Sequence, residues 1–153
     1  MKSIEVLKDM IERYGMDEFG SQARGFDPAT VSEIDDGIYV TAADGVASAR
    51  ELGCYVINVA KEVDSDADLK IAIRPYARNI RLKLDDIADR MDEILSQPDG
   101  KVAVHCRMGM ERSVLSVVWY LASIRGMSID AAYDRVKSRR PIALDQRHWA
   151  DLD

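Results

Sequence analysis

Apolar residues along this chain follow two patterns, short runs and longer stretches with a repeat of three or four positions. The short runs predict buried strands, and one alternating run predicts a further strand after a polar hairpin at residues 61–68; these strands are at 37–41, 54–60, 69–74 and 101–105. The longer stretches predict amphipathic or buried helices at 42–52, 79–95, 113–126, 128–140 and 145–151. This alternation favours an α/β fold with a largely parallel sheet of about four to five strands flanked by helices.

The first thirty residues have a weaker pattern. Ile4, Leu7 and Ile11 lie at helical spacing, so residues 2–14 predict a helix, and the segment 25–34 reads as an arm leading into the domain. No linker, low-complexity stretch or repeat interrupts the chain. We therefore predict two units, an N-terminal helix and arm packed on the domain over 1–30 and one domain over 31–153.

Composition narrows the functional classes. The 153 residues carry a net charge of −6, which argues against broad nucleic-acid binding driven by bulk charge. The N-terminus does not resemble a signal peptide and no apolar run suits a membrane span, so a soluble, cytoplasmic protein without membrane contact is expected. Cys54 and Cys106 lie far apart with no CxxC pattern, so we predict neither a metal site nor a disulfide, and no cofactor.

The stretch VHCRMGMERSV, residues 104–114, carries the candidate chemistry. It places a turn, the cysteine loop at residues 106–111, between a buried strand and a helix that begins near Arg112. Backbone amides of such a turn and of the helix N-terminus converge on one point and bind anions. Gly109 suits a position that lacks room for Cβ or needs a positive φ. Arg112 adds a planar fork that grips two phosphate oxygens together.

The same local field favours a thiolate at Cys106, because nearby amides and a cation lower the pKa of a cysteine. A nucleophile, an anion cradle and an arginine around one volume suit displacement of a phosphoryl group onto sulfur. The residues expected around the phosphate are Arg107, Met108, Gly109, Met110, Glu111 and Arg112. Cys54, by contrast, is expected to be a small buried hydrophobic residue.

The segment HCRMGMERS resembles the HCxxGxxRS loop of the cysteine-dependent protein tyrosine phosphatases, in particular the dual-specificity branch. The likeness continues through residues 35–60 and 128–149, so it covers roughly 31–150. It implies a protein tyrosine phosphatase-like fold and a catalytic domain over 31–153. It also implies hydrolysis of phosphotyrosine or phosphoserine/threonine in proteins, or of another phosphomonoester, with phosphate, sulfate or vanadate bound in the loop.

Site roles follow from the resemblance position by position. Cys106 is the nucleophile that becomes a phosphocysteine, and Arg112 is the phosphate clamp. His105 tunes the thiolate from behind the loop, and Ser113 donates a hydrogen bond to the sulfur as it leaves. From the residues alone, His105 is more simply a satisfied core histidine whose side chain points away from the phosphate.

The chain departs from the family at the general acid, because Arg74 stands where the family carries an aspartate. Arginine stays protonated and cannot fill that role. The acidic alternatives are Asp64, Asp66, Asp68, Asp85, Asp86 and Glu111, and our hypothesis is that none is a strong general acid. Basic residues expected near the mouth, which favour a multiply charged phosphate, are Arg74, Arg78, Arg81, Lys83 and Arg107.

Three other functions stay open at this point. One is a phosphate-binding pseudophosphatase that has lost turnover, and another is an RNA 5′-triphosphatase or phosphoinositide phosphatase. A rhodanese-like sulfur carrier is a more distant third. The loop lacks the lysines often seen in the lipid-specific relatives, so a protein phosphatase is the first choice.

Overall fold

A five-stranded sheet forms the centre of the molecule in the computed structural model, which describes residue 23 and residues 25–152. Its strands are β1 (Ser32–Asp35), β2 (Ile38–Thr41), β3 (Tyr55–Asn58), β4 (Leu69–Lys70) and β5 (Val102–His105). The α-helices are α1 (Val46–Glu51), α2 (Ile80–Leu95), α3 (Arg112–Ser123) and α4 (Ile129–Arg139). Short 3₁₀ helices occupy Ala43–Gly45 and Arg147–Ala150.

The sheet has the order β1-β2-β5-β3-β4, and β5 therefore lies at its centre. Only β1 and β2 pair antiparallel, whereas β5 pairs in parallel with both β2 and β3, and β3 with β4. This confirms the predicted α/β class with a largely parallel sheet. Because parallel strands end at the same edge, the segments that follow β3, β4 and β5 meet there, which is the usual position of a site in such sheets.

Both faces of the sheet are covered, as the apolar character of its strands predicts. Ile57, Val102 and Val104 face a large cluster that also contains buried residues of α2, α3 and α4. On the opposite face, Val56 and Ala103 belong to a smaller cluster with Tyr39, Cys54 and residues of α1. The burial of Cys54 in this cluster agrees with its predicted role as a small hydrophobic residue.

The predicted helices are confirmed closely where the repeat is regular. Over α2, Leu84, Ile87 and Met91 are fully buried at spacings of three and four. Helix α4 begins after Ser128, whose hydroxyl accepts a hydrogen bond from the amide of Ala131 at 3.1 Å, so the sequence-predicted cap is present. The predicted helix at 145–151 is a shorter 3₁₀ helix.

Two segments differ from the sequence-based expectation. The arm expected at 25–34 includes most of strand β1, which joins β2 through Asp36 and Gly37, with Gly37 at φ +78°. The segment 61–68 was expected to be a hairpin, which was wrong, because β4 pairs with β3 in parallel and the segment is a crossover. The strand expected at 69–74 is regular only at Leu69–Lys70.

The helix predicted at residues 2–14 lies outside the described residues. In the described part of the arm, Phe26 packs against a small buried cluster that consists of Ala23, Met110, Ile142 and Leu144. Within residues 25–152, no helix is both long and apolar enough to cross a membrane.

Candidate active site

The cysteine loop begins where β5 ends and leads directly into α3. Cys106 is 3% exposed, and its Sγ lies 3.3 Å from the Oγ of Ser113 in the first turn of α3. Ser113 is itself fully buried, so its hydroxyl is directed at the sulfur rather than at solvent. The structure thus brings together the two residues that sequence reasoning paired.

The surroundings of Cys106 favour its ionised form. Burial by itself raises the pKa of the thiol. Hydrogen bonds from the Ser113 hydroxyl and from the amides of Ser113 and Gly109, together with the charge of Arg112, lower the pKa by more than burial raises it, so the pKa of Cys106 is below its usual value. The other cysteine behaves in the opposite way, because burial raises the pKa of Cys54 to about 11. Of the two thiols, only Cys106 has the electrostatics of a nucleophile.

Gly109 meets both conditions that the sequence suggested for it. Its φ is +67°, in the left-handed region. A Cβ at this position would lie 2.6 Å from the carbonyl oxygen of Thr41 and 2.6 Å from the Nη2 of Arg140. Backbone and a buried side chain therefore occupy the space that any larger residue needs.

Arg140 lies behind the cysteine loop and is fully buried, and its hydrogen-bond acceptors among the described residues are all neutral. Its acceptors and their distances are Gly109 O (2.7 Å), Met108 O (3.2 Å), Pro28 O (2.6 Å), Thr30 O (2.7 Å), Val40 O (3.4 Å) and Ser32 Oγ (2.9 Å). Burial lowers the pKa of Arg140 to about 10, so it stays charged at neutral pH. It ties the loop to residues 28–32 and puts a positive charge behind Cys106.

His105 is fully buried and satisfied on both ring nitrogens. Its Nδ1 lies 2.9 Å from the carbonyl oxygen of Cys106, and its Nε2 lies 2.8 Å from the Oγ of Ser65. Burial lowers the pKa of His105, so the ring is neutral near pH 7. Because a carbonyl only accepts, Nδ1 carries the proton, and the hydroxyl of Ser65 donates to Nε2.

Arg112 faces a carboxylate that sequence reasoning missed. Its Nη1 and Nη2 donate to the two carboxylate oxygens of Glu62 at 2.7 and 2.6 Å. The hydrogen bonds and charge of Arg112, with a contribution from Arg107, lower the pKa of Glu62 to about 2. Glu62 follows β3, which neighbours β5 in the sheet, and that position after a buried strand was the available signal.

A cavity of about 970 Å³ opens in front of Arg112. Its wall is formed by Lys61, Glu62, residues 72–75, Ala77, Asn79, Lys83, Glu111, Arg112 and Trp149. Arg74 and Lys83, two of the basic residues that the sequence predicts near the site, are therefore on the cavity wall. Arg81 instead stacks on the ring of Trp119, with its Cζ 4.7 Å from the ring centroid.

Most of the acidic candidates for proton donor point elsewhere. Asp66 and Asp68 pair with Arg50, and Asp64 with Lys70. The carboxylate of Asp85 accepts from the indole of Trp119, and Asp86 faces a separate shallow pocket beside Leu69. Of these candidates only Glu111 is on the cavity wall, where its Oε2 accepts a hydrogen bond from the side-chain Nε2 of Gln146 at 2.8 Å. Among the described residues, the cavity wall carries no aspartate.

Comparison with known proteins identifies close sequence relatives. A family model described as dual specificity phosphatase, catalytic domain, matches residues 41–153. Dual specificity protein phosphatase 1B of Arabidopsis thaliana is 30% identical over 151 residues, covering 88% of this chain and 86% of that protein. Dual specificity protein phosphatase 1 of Arabidopsis thaliana is 31% identical over 122 residues, or 73% of this chain, and the match spans 61% of its length.

Solved structures share the fold at lower identity. Human DUSP28 superimposes with a TM-score of 0.71 at 20% identity, covering 80% of this chain and 88% of that one. A mouse putative dual specificity phosphatase complexed with zinc tungstate gives a TM-score of 0.69 at 20% identity, covering 84% and 86% of the two chains. These likenesses agree with the protein tyrosine phosphatase-like fold expected from the sequence.

Proposed function

Because this chain belongs to the dual specificity phosphatase family of cysteine-dependent phosphatases, we propose that it hydrolyses phosphotyrosine or phosphoserine/threonine in proteins through a phosphocysteine at Cys106. The observation that carries the proposal is the environment of the Cys106 sulfur. The hydroxyl of Ser113, two backbone amides and the charge of Arg112 all favour the thiolate.

In the first step, the thiolate of Cys106 attacks phosphorus. The S–P bond forms while the bond from phosphorus to the leaving oxygen breaks, and that oxygen takes up a proton from solvent water. Backbone amides of the cysteine loop and the guanidinium of Arg112 stabilise the charge on the equatorial oxygens. Glu62 engages one N–H of Nη1 and one N–H of Nη2 on Arg112. The guanidinium has five N–H donors, so the Nε–H and the second N–H of each Nη are left to grip two phosphate oxygens together.

In the second step, water attacks phosphorus and a new P–O bond forms while the S–P bond breaks with return of the thiolate. Inorganic phosphate leaves with the protons of that water. The hydroxyl of Ser113, 3.3 Å from Sγ, donates to the sulfur as negative charge develops on it. Arg140, buried behind the loop, keeps the cradle in place through both steps by binding the carbonyl oxygens of Met108 and Gly109.

Protonation of the leaving oxygen is the step for which the cavity wall provides the weakest candidate groups. Arg74 lies on the wall, and the carboxylate of Glu62 has a pKa of about 2, too low to supply a proton near neutral pH. Where phosphoryl transfer to Cys106 limits the rate, we therefore expect turnover to depend steeply on the acidity of the leaving phenol across a series of aryl phosphates. A shallow dependence that becomes steep in Glu111→Gln would identify Glu111 as the acid and overturn this part of the proposal.

The central test is turnover of para-nitrophenyl phosphate and of phosphotyrosine and phosphoserine peptides. Cys106→Ser is expected to abolish turnover and to retain substrate binding, because the amide cradle and Arg112 remain. Cys54→Ala is the matched control, since that thiol lies on the opposite face of the sheet and has a raised pKa. Equal activity of the parent and Cys106→Ser would refute the proposal.

A phosphate-binding protein without turnover is the second candidate, favoured by the absence of an aspartate on the described cavity wall. Tight phosphate or vanadate binding with no release of phosphate from any of these substrates would establish it. Preferred turnover of 5′-triphosphate RNA or of a phosphoinositide would instead move the substrate away from proteins.

A further inference from the structure

The cavity in front of Arg112 collects cations from three segments of the chain. Lys61 follows β3, Arg74 follows β4 and Arg112 follows the cysteine loop after β5, so all three come from the carboxyl edge of the parallel strands. Arg112 is paired with Glu62, and Lys83 donates to the carbonyl oxygen of Ala72. Within residues 25–152, neither Lys61 nor Arg74 has a carboxylate partner for its side chain.

The charge of this cavity is opposite to that of the whole protein. Its wall carries four basic residues against two carboxylates, Glu62 and Glu111, whereas the chain has a net charge of −6. A basic concavity on an acidic protein concentrates the field at one place and attracts anionic groups to it. The wall therefore carries three basic residues, Lys61, Arg74 and Lys83, in addition to Arg112.

The cavity is also larger than the phosphate cradle. Its volume of about 970 Å³ lies at the upper end of the range for ligand sites. Between the basic residues the wall is apolar, with Ile73, Pro75 and Trp149. A substrate that fills it extends beyond the scissile phosphate, along an apolar surface, toward Arg74.

We propose that Arg74, assisted by Lys61, forms a second anion subsite that selects phosphopeptides carrying another anionic group close to the scissile phosphate. This inference rests on the proposed function. The second group is a carboxylate or a further phosphate, since both offer oxygens to the guanidinium fork. Arg74 is then a specificity residue of this chain, at the position where the sequence led us to expect an acid.

A peptide suits the cavity better than a membrane lipid does. The cytoplasmic leaflet is anionic and repels a protein with a net charge of −6, and lipid-binding proteins usually counter this with clustered basic residues on their surface. Here Lys61 and Arg74, which have no carboxylate partner among residues 25–152, line a cavity whose wall is partly apolar. An extended peptide enters such a cavity by itself, whereas a membrane lipid brings the anionic membrane surface against the acidic protein.

The test compares three phosphotyrosine peptides of one length, flanked by aspartate, by phosphoserine or by alanine. For the parent we expect a higher kcat/KM with either anionic flank than with alanine, through a lower KM. Arg74→Ala should reduce that preference by up to about fivefold, the scale of one solvent-exposed ion pair, and Arg74→Glu should reverse it. The preference of the parent should shrink as salt is added.

Arg78→Ala is the matched control, because Arg78 is an exposed arginine of the same segment that is not part of the cavity wall. It should keep the parental preference. Equal kcat/KM for all three peptides, or a preference that survives in Arg74→Glu, would overturn the subsite. Preferred hydrolysis of a short-chain phosphatidylinositol phosphate over every peptide would overturn the peptide assignment.

Binding to Cys106→Ser separates this inference from the proposed function. Fluorescence anisotropy of the same peptides, with Arg74→Ala added to the Cys106→Ser background, reports the subsite without turnover. A binding preference that depends on Arg74 in a protein that hydrolyses nothing would refute the phosphatase and keep the subsite. Turnover without any such preference would support the phosphatase and refute the subsite.

Discussion

Replacing Arg140 by methionine tests the support behind the cysteine loop. In the described part of the chain, Arg140 is the only donor to the carbonyl oxygens of Met108 and Gly109, at 3.2 and 2.7 Å. A buried acceptor left without its donor costs about 1–3 kcal/mol, so Arg140→Met should lose about 2–6 kcal/mol of unfolding free energy. The positive charge near Cys106 is lost as well, so the pKa of that thiol should rise.

Urea unfolding followed by circular dichroism measures the first effect, and the pH dependence of iodoacetate labelling measures the second. Arg140→Lys should be intermediate in stability, because it keeps the charge but reaches fewer carbonyls. Arg139→Met is the control, since Arg139 is an exposed neighbour in the last turn of α4. A loss of less than about 1 kcal/mol in Arg140→Met, with an unchanged labelling profile, would refute the reasoning.

Three further predictions concern the sulfur, its clamp and its histidine. At pH 7 Cys106 should react with iodoacetate at least about a hundredfold faster than Cys54, whose pKa of about 11 leaves almost no thiolate, and vanadate should block it; equal slow labelling would contradict this. Arg112→Lys should lose about a hundredfold in turnover, nearly as much as Arg112→Ala, and a largely active lysine variant would refute the bidentate clamp. Ser65→Ala should raise the pH at which Cys106 ionises, because it removes the donor to Nε2 of His105, the ring whose Nδ1 donates to the carbonyl oxygen of Cys106. Ser65→Thr should restore the parental value, and an unchanged pH profile in Ser65→Ala would contradict this role.

The arrangement of the cysteine loop could be predicted from the sequence because its parts are close together along the chain. Cys106, Gly109, Arg112 and Ser113 lie on one turn and the start of one helix, so local geometry alone brings them together. The helices that bury regular apolar faces, α2 above all, were predictable for the same reason. Their period is a local property of the chain.

The residues that support the loop could not be found in this way. Glu62 lies 50 positions before Arg112, Ser65 lies 40 before His105, and Arg140 lies 31 after Gly109. Their contacts depend on the strand order, in which β3 neighbours β5, and on the packing of the chain after α4 behind the loop. Spacing along the sequence does not encode that order.

The pattern of apolar residues also failed to predict the short strands correctly. Strand β4 has two residues, and its pairing with β3 is parallel, so residues 61–68 form a crossover with Glu62 at its start instead of a tight hairpin. Strand β1 was read as part of an arm, although Asp36 and Gly37 form the dipeptide typical of a tight hairpin turn. For β4 the pairing partner, and not the local sequence, decides the structure. For β1 the turn dipeptide was a local signal of the hairpin.

Direct detection of the phosphorylated enzyme tests the central claim that Cys106 carries the phosphoryl group during turnover. The parent protein is mixed with para-nitrophenyl phosphate, quenched with acid within one turnover, digested and examined by mass spectrometry. We expect phosphate on the sulfur of Cys106 and on no other residue, and none in Cys106→Ser. Release of phosphate at the normal rate with no adduct at Cys106, or with the adduct on another residue, would contradict the proposed mechanism.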